Sequence, residues 1–222
     1  MIRILVIDDA QRPEFIDHLG DEVRGSMGVE VRAEHLNPTV YFEGRNQASE
    51  LSRLLTEVAR SAAEFWDVAL IDINLHEVNI AKAEKLHLAL SIADKFRETN
   101  KSAIVILYSG TLSDHVKELL AEPKAAELAM KKIFRTDIAA FSPRNHVALE
   151  VIQRLSAPSF ILTIDRALIA DSNFRISAAE AEFTGKTFGQ LAAAVRCQDR
   201  IGVRLTSLVA EHGLAAIVDL AR

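Results

Sequence analysis

The first apolar run of the chain, Ile4-Leu5-Val6-Ile7, closes on two acidic residues, Asp8 and Asp9. A later run, Val68-Ala69-Leu70-Ile71, closes on a single one, Asp72. Short apolar runs without alternation fit strands covered on both faces, which means a parallel sheet with crossover helices. Carboxylates at the C-terminal ends of such strands meet in the crevice where open α/β sheets place ligands. Brought together there, three carboxylates repel and raise one another's pKa unless they share a cation. The pattern therefore predicts a hard-metal site, with Mg²⁺ as the expected ion and one aspartate left to react. A lone strand-end aspartate would be read as an N-cap or turn residue. The pair and the single aspartate together ask for more.

The rest of the first 156 residues continues the alternation of strands and amphipathic helices. Helices are expected near residues 13–24, 47–65 and 80–97, each with apolar side chains at helical spacing, and Pro13 suits a first turn. A second strand is expected over residues 29–36, followed by a loop over 37–45. Residues 103–108 read as a fourth strand that delivers Ser109 to the same edge as the aspartates. A charged helical stretch covers about 114–134, with Pro123 as a candidate break. A weaker fifth strand at 137–142 and a helix at 145–155 complete the alternation. Ser156-Ala157-Pro158-Ser159 marks a boundary, giving domains at 1–156 and 157–222. The second part reads as all helix: 160–170, 178–183, 188–195, 200–211 and a last piece to 220.

Taken in order, Ile4–Asp9, Ala69–Leu75 and Ile104–Gly110 resemble the first, third and fourth strands of a response-regulator receiver domain. The resemblance covers about residues 1–156 and implies a flavodoxin-like (βα)5 sheet of order 2-1-3-4-5, followed by the helical extension. It further implies that Asp72 is the phosphoacceptor and that Asp8 and Asp9 hold Mg²⁺ with it. The backbone carbonyl of Asn74 would complete the metal shell, and the Ser109 hydroxyl would bind the phosphoryl group. The implied partners are a histidine kinase or phosphotransfer protein, with a protein–protein output through a homodimer or an effector, or a phosphate-sink role. Such a protein is a phosphoacceptor with at most slow self-dephosphorylation rather than an enzyme acting on small molecules.

Several residues depart from the family pattern. Receivers carry a lysine at the end of strand five, commonly before a proline and three residues after an aromatic. Here Phe141-Ser142-Pro143-Arg144 puts an aromatic at the right offset from Arg144, whose planar fork is not equivalent to a lysine point charge. Alignment on the proline selects Ser142 instead, and Lys131 lies at a typical distance from Ser109 but in a helical stretch. Arg144 is preferred among the three. The segment between Asp9 and Asp72 is longer than usual, and no Pro-Gly follows Asp72. The alternatives are a DNA-binding response regulator acting through a C-terminal helix-turn-helix and a pseudo-receiver scaffold that is not phosphorylated.

Composition narrows the remaining choices. An apolar fraction of 49% implies a real core, and no apolar stretch reaches membrane-spanning length before a charge interrupts it. The single cysteine, Cys197, excludes an internal disulfide and fits a reducing cytoplasm. No signal-peptide core precedes the first aspartates. The formal charge of −5 argues against bulk capture of nucleic acid. Seven basic and seven acidic residues balance within 157–222, so that deficit lies in the first 156 residues.

Other signals fall short. Thr184-Gly185-Lys186-Thr187 lacks the first glycine and the preceding strand of a phosphate-binding loop; Glu180 stands in the glycine's place. Tyr108-Ser109-Gly110 lacks the first glycine of a nucleophile elbow. The histidines show no zinc spacing, and His76 reads as a solvated loop residue. Cys197 reads as a small apolar residue with no partner. Residues 191–214 resemble a helix-turn-helix offering Arg196, Arg200 and Arg204 to DNA, but Arg196 replaces the turn glycine and Gly202 an apolar anchor. An apolar stripe at this spacing is more often a packing or partner surface.

Overall fold

The computed structural model describes every residue except 10–12, 43–46, 76–81, 112–113, 115–116, 118–122, 158, 171, 174–182 and 221–222. Five strands, β1 (Ile2–Ile7), β2 (Val31–Leu36), β3 (Val68–Asp72), β4 (Ile104–Ser109) and β5 (Ala140–Pro143), form one parallel sheet. Their order is β2-β1-β3-β4-β5. This is the flavodoxin-like order expected from the sequence. The helices are α1 (Pro13–Met27), α2 (Gln47–Ala62), α3 (Lys82–Thr99), α4 (Pro123–Thr136), α5 (Val147–Ser156), α6 (Phe160–Ala170), α7 (Phe188–Cys197) and α8 (Arg200–Leu220). No single helix among the described residues is long and apolar enough to cross a membrane.

The chain divides into two compact units. Met1–Glu98 and Ala103–Ala157 make the first, and Thr99–Ser102 with Pro158–Arg222 make the second. In the first, the two-residue period of a strand sends Leu5 and Ile7 to one face of the sheet. There Leu54, Val58 and Ala62 of α2, Leu90, Ala93 and Phe96 of α3, and Trp66 close one apolar core. α1 packs against α5 and β2, burying Leu19, Val23, Val147 and Val151. Each such aliphatic side chain contributes roughly 1.5–3 kcal/mol through burial.

The register positions the site. Ile7 lies level with Ile71, so Asp8 and Asp72 leave the sheet at the same height on adjacent strands. Asp72 lies level with Tyr108, and Ser109 level with Pro143, so Ser109 and Arg144 follow at the same edge. The reversal of direction between β1's two neighbours opens the crevice there.

Some boundaries differ from the sequence reading for local reasons. β2 starts at Val31 rather than residue 29, because Gly28 adopts φ +65° and the Ile2 N–H bonds the Glu30 carbonyl before pairing begins. β5 starts at Ala140 rather than 137, since Asp137 takes a left-handed φ of 51° directly after α4. There Arg97 Nε donates to the Thr136 carbonyl at 3.1 Å and its terminal nitrogen to the Asp137 carbonyl at 3.0 Å, satisfying the end of α4. Pro123 begins α4 instead of interrupting a longer helix, as its missing N–H allows at a first turn. α2 stops at Ala62, short of the expected 65, and Phe65 and Trp66 turn into the core.

In the second unit α7 packs on both α6 and α8. Thr187 and Gln190 close a reciprocal capping box at the start of α7, where the phosphate-loop-like tetrapeptide ends. Gln198 in the left-handed region ends α7, and Asp199 Oδ1 accepts the Gly202 N–H at 2.8 Å to start α8. α8 continues unbroken to Leu220, where the sequence reading had it stop at 211 and restart. Of the helix expected at 178–183, residues 178–182 lie outside the described residues and Phe183 sits in a turn. Residues 80 and 81, the start of the helix expected over 80–97, and much of 114–122 also lie outside them.

Candidate functional site

Asp8, Asp9 and Asp72 converge, each offering an oxygen within 4.8 Å of the others. All three are buried, at 2%, 3% and 4% exposure. Asp8 is held from several sides. Its backbone N–H bonds the Leu36 carbonyl, and its carbonyl accepts from His35 Nε2 at 2.7 Å, which fixes the hydrogen of that ring on Nε2. The Tyr108 hydroxyl donates to Asp8 Oδ2 at 2.5 Å. Asp72 Oδ1 accepts the Asn74 N–H at 2.8 Å, a local turn that aims the carboxylate. The Ile73 N–H bonds the Tyr108 carbonyl at 2.8 Å, carrying the β3–β4 pairing one step past the strand.

Arg144 is the cation of the site. It follows β5 in a 3₁₀ turn and bonds Asp8 Oδ2 through a terminal nitrogen. The same nitrogen lies 3.7 Å from Asp72 Oδ2. Its guanidinium lies over the Phe15 ring at 5.0 Å and the Tyr108 ring at 5.7 Å, and those two rings stack at 5.6 Å. Of the three residues considered for this role, Arg144 alone is seen bonded to the carboxylates. Lys131 lies exposed on α4 and pairs with Glu127 at 2.6 Å, and the buried Ser142 hydroxyl donates to the Pro143 carbonyl at 3.1 Å. Ser109 is fully buried at the end of β4, its Oγ accepting the Thr111 N–H at 3.1 Å. Thr111 Oγ1 also accepts from Asn74 Nδ2 at 3.3 Å, linking the loops after β3 and β4. A cavity of about 310 Å³ opens beside Asp8 and Arg144, walled by Phe15, Ile16, His18 and His35.

Three buried carboxylates crowd beside the Arg144 guanidinium. Burial pushes the Asp72 carboxyl up to about 7, and the charges of Asp8 and Asp9 push the same way. The Asn74 N–H and Arg144 oppose this without cancelling it. Burial and the Asp8 and Asp72 charges hold the Tyr108 hydroxyl well above its usual range, so it stays a donor. Burial works against the Arg144 charge, yet Asp8, Tyr108 and Asp72 together raise its pKa. An all-oxygen donor set of three converging carboxylates suits a hard divalent cation, and these residues fit one.

Tyr108 and Phe15 were not singled out by sequence reasoning. Tyr108 precedes Ser109 in an apolar strand, and Phe15 sits in the apolar stripe of α1, so both read as core. His76 lies outside the described residues.

In the second unit, of the three arginines that a helix-turn-helix would offer to DNA, Arg196 is buried. It is 4% exposed and grips Asp165 with two nitrogens, at 3.1 and 3.3 Å. Ser102 Oγ donates to Asp165 Oδ2 at 2.6 Å, and the Lys101 N–H bonds the Arg196 carbonyl. Arg200 and Arg204 are exposed. Gly202 stands where an apolar anchor was expected because a Cβ there would lie 2.1 Å from the Ala194 carbonyl oxygen. Cys197 also has a partner, its thiol donating to the Thr99 carbonyl at 3.2 Å, and burial pushes that thiol's pKa up.

The fold and the site define an α/β domain of flavodoxin-like topology with a buried acidic triad at its switch point. No protein-family model and no curated protein matches the sequence.

Proposed function

We propose that this chain is a divergent receiver domain with a helical extension, a phosphoacceptor that takes a phosphoryl group onto Asp72 from a histidine kinase or phosphotransfer protein. The observation that carries the reading is the convergence of Asp8, Asp9 and Asp72 beside Arg144 at one sheet edge. A carboxylate oxygen of Asp72 attacks phosphorus in line, the P–N bond of the phosphohistidine breaks, and the imidazole nitrogen leaves with the electron pair and takes up a proton. Asp8, Asp9 and Asp72, with the Asn74 backbone carbonyl, would hold Mg²⁺, which would supply neutralisation of the phosphoryl oxygens. Arg144, already near Asp72, pairs with a phosphoryl oxygen, and the Ser109 hydrogen donates to another. Ser109 and the partly exposed Phe141 then carry the change to the surface around β4 and β5. The output is contact with a second copy or an effector protein, or drainage of phosphate from a kinase.

The test is intact mass after incubation with a small acyl phosphate and Mg²⁺. The expected result is a gain of one phosphoryl group, acid-stable, base-labile and absent in Asp72→Asn. Failure with both the small donor and a cognate kinase overturns the reading. It would favour a pseudo-receiver scaffold, for which Arg144 bonded to Asp8 is a built-in cation. In that case Asp72→Ala leaves partner binding intact.

A further inference from the structure

We infer that Arg144 is an internal competitor for the metal site, seated on Asp8 by an aromatic shelf, and that a divalent cation binds by displacing it. The inference rests on the metal-dependent reading of the triad and adds how that site is regulated. Asp8 Oδ2 carries two donors, the Tyr108 hydroxyl and the Arg144 guanidinium, so its acceptor capacity is filled. A cation shared by all three carboxylates would sit against a guanidinium that also reaches to 3.7 Å from Asp72, and the two positive charges repel.

The seat itself is built for release. Arg144 Nε is buried and hydrogen-bonds nothing among the described residues, so the side chain holds Asp8 with one end of its fork only. Much of what keeps it there is the stacked pair Phe15 and Tyr108, each ring beneath the guanidinium. The side chain is 36% exposed and has solvent and the neighbouring cavity to swing into. When a competent state is populated only in part, apparent affinity falls by that fraction. Arg144 therefore sets the cation concentration at which the site fills, and its departure from Asp8 frees it for a phosphoryl oxygen on Asp72.

The experiment is Mg²⁺ titration calorimetry of the full chain as wild type, Arg144→Gln, Phe15→Leu and Asp9→Asn. Arg144 side-chain resonances are followed in parallel by NMR. Competition predicts a Kd lowered roughly tenfold in Arg144→Gln, and lowered in Phe15→Leu, where the charge stays but the shelf is lost. It also predicts that Arg144 signals shifted by the two rings move toward unstacked values as Mg²⁺ saturates. Phe15→Leu is the variant that separates seating from simple charge. Tighter binding in Arg144→Gln alone, with Arg144 signals unmoved, overturns the inference and leaves only long-range repulsion. Mg²⁺ binding that is lost in Asp9→Asn but equal in the other proteins overturns it while the metal reading stands. No Mg²⁺ binding in any protein removes both.

Discussion

Each unit of the molecule sets an arginine against a buried aspartate, Arg144 on Asp8 and Arg196 on Asp165, and the two pairs are finished differently. In the helical unit Arg196 takes both oxygens of Asp165, and Ser102 adds a third donor to the same carboxylate. At the sheet edge Arg144 meets Asp8 with one end of its fork, and two more carboxylates stand nearby. A pair gripped through both carboxylate oxygens is a structural element; a cluster of three carboxylates held by one end of a fork is a place where a cation can be shared. This contrast is what assigns chemistry to one arginine and packing to the other.

Removing a partner should separate the two most strongly. Arg196→Ala takes the guanidinium from the buried Asp165, and urea unfolding should show a loss of about 3–5 kcal/mol. A loss under ~1 kcal/mol would mean the pair is solvated and the contrast false. At the sheet edge the sign reverses. The folded pKa of Asp72, about 7, lies above its unfolded value, so the native state binds more protons between roughly pH 4 and 7. Without metal, stability therefore falls as pH rises through that window, by up to about 4 kcal/mol from this group. Asp72→Asn should flatten the decline and raise the metal-free Tm at pH 8, with little effect at pH 4. Added Mg²⁺ should stabilise the wild type more at pH 8 than at pH 6, because its ligands must be ionised.

Smaller changes sharpen the comparison further. Gly202→Ala forces a methyl group onto the Ala194 carbonyl and should cost about 1–3 kcal/mol, read as a lower urea midpoint and independent of Mg²⁺. Tyr108→Phe removes one donor from Asp8 and should cost about 1 kcal/mol without metal. Unlike Gly202→Ala, it should also change Mg²⁺ affinity, since it frees a lone pair on Asp8 Oδ2.

The parts of this account that the sequence discloses are those governed by period and position. Four apolar residues before Asp8 and before Asp72 require covered strands, and parallel strands in register must bring their ends together. Ser109 follows from the same argument. Side-chain identity at the site is harder to read. Spacing favours Arg144 only slightly over Ser142, since a one-residue shift in where β5 ends exchanges their places, and Lys131 lies on α4 before the strand. The left-handed turn at Asp137 that fixes β5 depends on Arg97, 40 residues away. Arg196 read as a surface residue because a buried arginine looks like an exposed one until its partner, 31 residues earlier, is known. Gly202 read as a flaw in a helix-turn-helix, whereas a close helix crossing demands it.

The most direct test of the central claim is to locate the phosphoryl group. Protein incubated with a small acyl phosphate and Mg²⁺ is reduced with borohydride, which converts an aspartyl phosphate to homoserine, and its peptides are sequenced by mass spectrometry. The account predicts homoserine at position 72, formed only with the divalent ion present. Modification at another residue, or none at 72 after transfer from a cognate kinase, would contradict it.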